Sequence, residues 1–386
     1  MVDRLIMSKL KIVFDANPMI NTKSGVGYYT HSLIEALSKV GDGELELVGH
    51  YFNFLGKRPN SGLPAAENIK YVQSRLIPGK ALGLCRRLGF QPFFEIFTRQ
   101  NSDITLFTNF AALPSLTSKL SVVAVHDLGF IDCPEYISTK NLAFLKKWAP
   151  RSLRKSEMVI TISEFTKNRI IDVFDIDENK IHVTPIPPAS HVPPDNSIIE
   201  KFGIQGDYIL FVGTIEPRKN ISNLLDAYSS LPAQIKDTYS LVLVGGKGWH
   251  DEQILDKLVT LKSLGNKIHQ TGYVSDAERA AFYENSTVCV LPSYYEGFGM
   301  PVLEAMSYGK PVVCSNIEVF KEVAGDAAMY FNVNDVVALK DTLTKLLSSQ
   351  QVMSKYKHLS LRHSEKFINW DTVAKDLIKS FRERLQ

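Results

Sequence analysis

Cysteine is scarce: four residues, Cys85, Cys133, Cys289 and Cys314, in a chain of 386. None forms a C-x-x-C pair or a zinc-ligand pattern. This sets aside a disulfide-stapled scaffold and a zinc module and favours a reducing cytosol. Charge of one sign is also lacking. Lys and Arg number 44 against 41 Asp and Glu, a net charge of +3, so no basic field argues for nucleic acid as a partner. No apolar run approaches the length of a membrane span, and Met1 to Leu10 is too polar for a signal peptide. A cytoplasmic protein is expected, and any meeting with the membrane would be peripheral, on its cytoplasmic face. What is present is ordinary globular composition, 45% apolar and 22% charged, over a length that suits two domains.

Apolar runs alternate with helical periodicity along the whole chain. Leu10-Lys-Ile-Val-Phe-Asp-Ala16 reads as a first strand, followed by a polar loop, then Ser24-Gly-Val-Gly-Tyr28. Tyr28, Tyr29, Leu33, Ile34 and Leu37 fall on one helical face after it. Strand, glycine turn and helix together make a seat for an anion around Gly25 and Gly27. The third glycine of a dinucleotide fingerprint is missing. Glu44–Phe52, Asp103–Phe107, Leu120–Val125, Met158–Ile162 and Ile181–Val183 read as further strands. Lys80–Gln100, with Arg86, Arg87, Phe90, Phe93, Phe94, Phe97 and Arg99, reads either as a stretch lying on a membrane surface or as a core helix with solvated cations.

Thr184–Pro194 holds five prolines and reads as a stiff linker. The expected division is residues 1–184, a linker at 185–194, a second domain over 195–365 and a final helix over 366–386. After the linker the βα pattern restarts with strands at Tyr208–Val212 and Ser240–Val244. The fold class is therefore α/β, with two doubly wound Rossmann-like halves. The tail carries Trp370, Val373, Ala374, Leu377, Ile378, Phe381 and Leu385 at helical spacing, an apolar stripe that must pack on something.

The densest chemistry lies in Ser293-Tyr-Tyr-Glu-Gly-Phe-Gly-Met-Pro-Val-Leu-Glu304, after the apolar run Val288–Pro292. Strand, glycine turn and helix recur here, with Pro301 placed for a first helical position and Gly309 for the stop. The N–H groups of Phe298, Gly299 and Met300 would point outward at a helix N-terminus, and Glu296 and Glu304 flank them, one carboxylate for each of two sugars. This pattern, two glutamates eight apart around Gly297-Phe-Gly-Met-Pro301, resembles the signature of the retaining glycosyltransferases of family four, which have the GT-B fold: two facing Rossmann-like domains with a cleft between them.

The resemblance extends over nearly the whole chain and implies roles. Glu296 would contact the donor sugar and Glu304 the nucleotide ribose, with the backbone of Gly297 to Met300 around them. Gly25 and Gly27 would approach the donor phosphates and the acceptor, and the first domain would be the acceptor side. In Gly213-Thr-Ile-Glu-Pro-Arg-Lys-Asn220, Lys219 matches the family's diphosphate lysine, whereas Thr214 stands where many members have an arginine, so that Arg218 would take over. Two cations there suit a departing diphosphate without a metal. His126, at the end of a buried strand and followed by Asp127, matches a histidine beside the donor sugar. Tyr273 and Val274, after Gly272, match the segment that reads the nucleobase. The Asp-x-Asp that holds a metal in the other large glycosyltransferase fold has a counterpart only in Asp175-Ile-Asp177, in a polar loop read as solvent-facing.

The activity implied is metal-independent transfer of a hexose, most simply mannose from GDP-mannose, to a glycan or lipid-linked acceptor, with no cofactor beyond the nucleotide sugar. Asp15-Ala16, Ser24-Gly-Val-Gly27, His126-Asp127-Leu128 and Glu216-Pro-Arg-Lys-Asn220 resemble the mannosyltransferase-like branch that builds bacterial surface polysaccharide. A nucleotide-sugar epimerase of the same fold, a phosphorylase, or a silent sugar-nucleotide-binding module are the alternatives. A phosphorylase would need a cofactor lysine site that the sequence does not offer.

Overall fold

The structure is a computed structural model that describes residues 9–20, 25–56, 62–75, 78–189, 191–249 and 251–386. Ser24, named above, and residue 190 within the proline-rich linker lie outside the described residues. The chain forms two compact units. One comprises Met1–Leu128, Ala143–Ile186 and Ile368–Gln386, and the other Gly129–Leu142 and Pro187–Phe367. The sequence reading ran the first domain unbroken to residue 184. In the structure the excursion Gly129–Leu142 clusters with the second unit instead.

Among the described residues, the first unit has a seven-stranded parallel sheet: β1 (Leu10–Asp15), β2 (Leu45–Phe52), β3 (Ile69–Ser74), β4 (Ile104–Phe107), β5 (Leu120–Ala124), β6 (Met158–Thr161) and β7 (Ile181–Val183), in the order β3-β2-β1-β4-β5-β6-β7. The second unit has a six-stranded parallel sheet of β8 (Asp207–Val212), β9 (Tyr239–Val244), β10 (Ile268–Gly272), β11 (Val288–Leu291), β12 (Val312–Ser315) and β13 (Ala328–Phe331), in the order β10-β9-β8-β11-β12-β13. Helices cover both faces of such sheets, so the central strands read as nearly continuous Val, Ile and Leu. Ile12, Phe14, Leu47, Leu106 and Val122 are fully buried in the first unit, as are Ile209, Phe211, Leu241, Val290 and Val313 in the second.

The strand order reverses between β1 and β4 in the first sheet and between β8 and β11 in the second. Loops at the carboxyl ends of these strand pairs diverge and leave a crevice, which is where open α/β sheets bind ligands. In this chain those are the loops after β1 and β4, and after β8 and β11.

Three local readings change. Gly25 and Gly27 do not form a loop; both lie in the first turn of the helix Gly25–Val40. Lys80–Gln100 is not one helix. It is a helix over Gly79–Arg87, a turn, then a short helix over Glu95–Thr98, because Gly89 takes a left-handed φ of 82° and Pro92 follows. The helix after Glu296 begins at Met300, so Pro301 is its second residue.

The helix Trp370–Leu385 belongs to the first unit. Its stripe Val373, Ala374, Leu377, Ile378 and Phe381 is buried. Beside it Trp370 meets Tyr29 edge-on at 5.7 Å, and Asp371 pairs with Lys39 at 2.5 Å. Asp376 reaches His182 at 3.0 Å, and Arg382 reaches Glu44 at 2.6 Å.

Candidate functional site at the mouth of the second sheet

The loop after β8 is shaped by two backbone demands. Gly213 to Ile215 runs beside Gly245 to Gly248, joined by Ile215 N–H to the Gly246 carbonyl (2.9 Å) and Gly248 N–H to the Ile215 carbonyl (2.9 Å). A Cβ on Gly245 would lie 1.9 Å from the Gly213 oxygen, so only glycine permits the approach. The loop then makes a single 3-10 turn, Pro217–Lys219, closed by Asn220 at φ 55°. Asn tolerates this left-handed conformation, and its amide donates to the Val333 carbonyl at 3.0 Å. The turn sends Arg218 and Lys219 to the same side.

Both cations meet Glu296 from the loop after β11. Lys219 Nζ donates to Glu296 Oε1 at 2.5 Å, and Arg218 Nη1 donates to Glu296 Oε2 at 3.0 Å. Arg218 also donates to the Tyr295 carbonyl (2.8 Å) and, through Nε and Nη2, to Glu216 Oε1 (3.0 and 2.7 Å). Ser293 Oγ donates to Glu296 Oε1 at 2.7 Å, and the backbone joins the loops through Tyr294 N–H to the Arg218 carbonyl at 2.9 Å. Burial pushes the Glu296 carboxyl up, but Lys219 and Arg218 outweigh it and hold the group at about 2. The result is a half-dry cluster of two cations and two carboxylates with no formal excess of charge.

The chain turns sharply after Phe298. Gly299 has φ 104°, and a Cβ there would strike the Phe320 ring at 2.7 Å. This turn launches the helix Met300–Ser307. The N–H groups of Phe298, Gly299 and Met300 meet no backbone acceptor among the described residues. Glu304 lies one turn in and is 6% exposed. Tyr283 donates to its Oε2 at 2.8 Å, and Arg279 stands 3.6 Å from Oε1. Here burial wins over Arg279, and the Glu304 carboxyl is raised above its ordinary value. The two glutamates of one motif thus sit in opposite electrostatic settings, one overcompensated by cations and one undercompensated.

Tyr273 is exposed at the carboxyl end of β10, after Gly272 at φ 76°, and Val274 is half-buried beside it. The next helix, Asp276–Asn285, is held by a capping box between Ser275 and Glu278. Arg218, Lys219, Glu296, Gly297–Met300 and Glu304 therefore lie together on two adjacent loops and the helix that follows the second.

His126 and the glycines Gly25 and Gly27 belong to the first unit. His126 is buried after β5, and its Nε2 donates to the Thr108 carbonyl at 2.7 Å, which fixes the tautomer; burial lowers its basicity and keeps the ring neutral. Asp15, at the end of β1, is half-buried and accepts from the Asn17 side chain and N–H (2.5 and 3.0 Å). It opens on a cavity of about 100 Å³ at the first switch point, lined also by His50, Phe52, Arg86, Phe94 and Asn109. Asp175 and Asp177 are exposed. Asp175 ends a helix in left-handed conformation, and Asp177 accepts from Asn179 N–H.

Residues that the sequence did not single out complete the second-unit site. Glu216 orients Arg218, and Ser293 fixes Glu296. Tyr283 and Arg279 hold Glu304. Tyr136, carried in on the excursion Gly129–Leu142, stacks on Tyr294 at 5.8 Å. Glu216 and Ser293 were within reach as near neighbours in the chain. Tyr283, Arg279 and Tyr136 depend on tertiary placement that no local spacing signals.

Two doubly wound parallel units, each with polar chemistry at its switch point, are the GT-B architecture of nucleotide-sugar-dependent glycosyltransferases. The chain belongs to glycosyltransferase family 4. Residues 23–187 match the description Glycosyltransferase Family 4, and residues 195–362 match Glycosyl transferases group 1. It is similar to O-antigen chain mannosyltransferase B of Escherichia coli, 30% identical over 97% of this chain and all of the relative. It is also similar to O-antigen chain mannosyltransferase RfbU of Salmonella typhimurium, 28% identical over 62% of this chain and 65% of the relative. Among solved structures the fold matches sucrose-phosphate synthase of Thermosynechococcus elongatus (TM-score 0.73, 17% identity, 97% and 99% of the two chains covered). It matches Anabaena HepE in complex with UDP and glucose similarly (TM-score 0.69, 15% identity, 97% and 100% covered).

Proposed function

We propose that the protein transfers mannose from GDP-mannose to a hydroxyl of a glycan or lipid-linked saccharide, with retention of anomeric configuration and without a metal. The observation that carries this reading is the cluster at the second switch point, where Arg218 and Lys219 both ion-pair with Glu296. Without donor, the two cations are balanced by Glu216 and Glu296. A diphosphate entering the crevice competes for Arg218 and Lys219 and releases Glu296 oxygens to accept sugar hydroxyls. The N–H groups at Phe298–Met300 face the same anion. As the glycosidic bond breaks, charge gathers on the leaving diphosphate, and fixed cations stabilise that state more than the bound donor. Glu304 takes the ribose hydroxyls, and Tyr273 and Val274 flank the base. His126 and the Asp15 pocket serve the acceptor side. The mannosyltransferase names of the relatives support the choice of sugar, and with it GDP.

The test is thermal shift with GDP, UDP, ADP and dTDP and with their sugars, since a ligand that binds only the folded state raises the melting temperature. The largest shift is expected with GDP and GDP-mannose. A larger shift with UDP and UDP-glucose overturns the donor assignment. Activity abolished by a chelator and restored by manganese or magnesium overturns metal independence.

A further inference from the structure

Three aromatic rings are stacked behind the carboxylate of Glu304. Tyr283, on the helix Asp276–Asn285, lies 5.5 Å from Tyr308, which follows the helix Met300–Ser307, with the ring planes 13° apart. The imidazole of His191, from the proline-rich linker, lies in turn 4.3 Å from the Tyr308 ring at 8°. Flat rings at these separations attract one another beyond the area they bury. Tyr283 is 1% exposed, Tyr308 half-buried and His191 exposed, so the stack runs from the core to the surface.

At its inner end the stack meets Glu304. The Tyr283 hydroxyl donates to Glu304 Oε2 at 2.8 Å. Burial and the Glu304 charge push the phenol well above its ordinary value, so the proton stays on Tyr283 and the bond has one direction. Glu304 Oε1 accepts no hydrogen bond among the described residues. Arg279 Nη2 stands 3.6 Å from it, outside hydrogen-bond reach, and 3.2 Å from Asp276 Oδ1. The other titratable groups that feel Glu304 are Tyr308, next along its own chain segment, and Cys289 on β11. Burial raises both, Cys289 to about 12, and both are neutral near pH 7. One carboxylate oxygen is therefore engaged and the other is left over.

We propose that Tyr283 is a positioning residue of the ribose site: by holding Oε2 it turns Oε1 toward the nucleotide, and Tyr308, itself covered by His191, braces the Tyr283 ring. This rests on the reading that Glu304 takes the ribose hydroxyls. Without the donation the carboxylate is free to swing onto Arg279. Its ionised form also loses a partner in a place where burial already opposes ionisation. Both changes strike the ribose contact and leave the diphosphate seat at Arg218, Lys219 and Phe298–Met300 untouched. The consequence is one of selectivity, because a site built to pair with hydroxyls rejects the analogue that lacks them.

The test is calorimetric titration of the full chain with GDP and with 2′,3′-dideoxy-GDP between about pH 5 and 9. The corresponding uridine pair replaces them if thermal shift favours UDP. The wild type is expected to prefer the ribose form at least about tenfold at the alkaline end. The preference should fall as pH drops through the raised Glu304 value, because the ionised carboxylate is the acceptor. Tyr283→Phe keeps the ring and removes the donor. It should move this fall to higher pH and leave a preference of about threefold or less near neutrality. Its affinity for the dideoxy form should stay within about twofold of wild type, which reports that the variant is folded. Tyr308→Phe should match the wild type, and Tyr308→Ala should change in the direction of Tyr283→Phe. Glu304→Gln should show no pH-dependent preference. Equal binding of both nucleotides by the wild type removes the ribose assignment of Glu304 and the proposal with it. If the wild type discriminates and Glu304→Gln does not, while Tyr283→Phe keeps the wild-type pH profile, the proposal alone is overturned. An equal loss of both nucleotides in Tyr283→Phe makes Tyr283 a packing residue and likewise overturns it. Loss of preference in Tyr308→Phe as great as in Tyr308→Ala overturns the bracing by stacked rings.

Discussion

Arg218, Lys219, Glu296 and Glu304 differ in their surroundings, and the proposed function gives each a different task. Lys219 makes one short contact, to Glu296, and lies at the end of a turn fixed by Asn220. Lys219→Ala is expected to lower kcat about 10²–10³-fold, with a smaller rise in donor KM, because the interaction it loses strengthens in the transition state. Steady-state kinetics decide the matter, and a rise in KM at constant kcat would make Lys219 a uniform binder. Glu304 offers an opposite kind of test. Its folded-state pKa is raised, so the fold favours the protonated form. The group's contribution to stability is present below the unfolded value of 4.5 and is lost as pH rises through the folded value. Above 4.5 the raised pKa is therefore a standing penalty on the fold. Glu304→Gln should raise the melting temperature of the ligand-free protein at pH 7–8, the gain shrinking as pH falls toward 4.5. The same variant should weaken nucleoside diphosphate binding by roughly tenfold or more, through loss of a charged acceptor. A variant that is both less stable and fully able to bind nucleotide would contradict this account.

At the scale of the element, the sequence disclosed those pieces whose signal is local. Val288–Pro292 and Tyr208–Val212 read as strands within a residue of β11 and β8, since buried parallel strands are unbroken apolar runs. β3, Ile-Lys-Tyr-Val-Gln-Ser, escaped notice because an edge strand mixes polar and apolar residues; β13, Ala328–Phe331, at the edge of the second sheet, escaped as well. Glu296, Glu304, Arg218 and Lys219 were legible as residues. Their mutual ion pairing was not, because it depends on β8 and β11 being neighbours, which strand order alone decides. The turn at Gly299 joins both levels. Its φ of 104° and the Phe320 ring forbid a side chain. Gly299→Ala should cost about 1–3 kcal/mol of stability and displace the start of the helix Met300–Ser307. Denaturant titration and nucleotide affinity should fall together, whereas Gly83→Ala, in open space within a helix, should be neutral or mildly stabilising.

At the scale of the whole molecule, the chain leaves the first unit at Ile186 and returns to it at Ile368, after all of the second unit except the excursion Gly129–Leu142. The first unit is thus completed by the last residues of the chain. Val373, Ala374, Leu377, Ile378 and Phe381 are all buried in it. At ~1.5–3 kcal/mol for each large apolar side chain, their burial is of the order of a domain's entire net stability. A chain ending at residue 365 should therefore lose the first unit's cooperative transition, or have it moved far down in temperature. The second unit keeps its sheet, its core and the cluster of Arg218, Lys219 and Glu296. Its transition should survive and should still rise with the nucleoside diphosphate that stabilises the full chain. Differential scanning calorimetry with and without that nucleotide reads both effects in one experiment. The expected record for the truncated chain is a single nucleotide-sensitive transition with no transferase activity. Loss of the nucleotide-sensitive transition along with the other would show that the helix supports the second unit as well, and that the two units do not unfold as separate bodies.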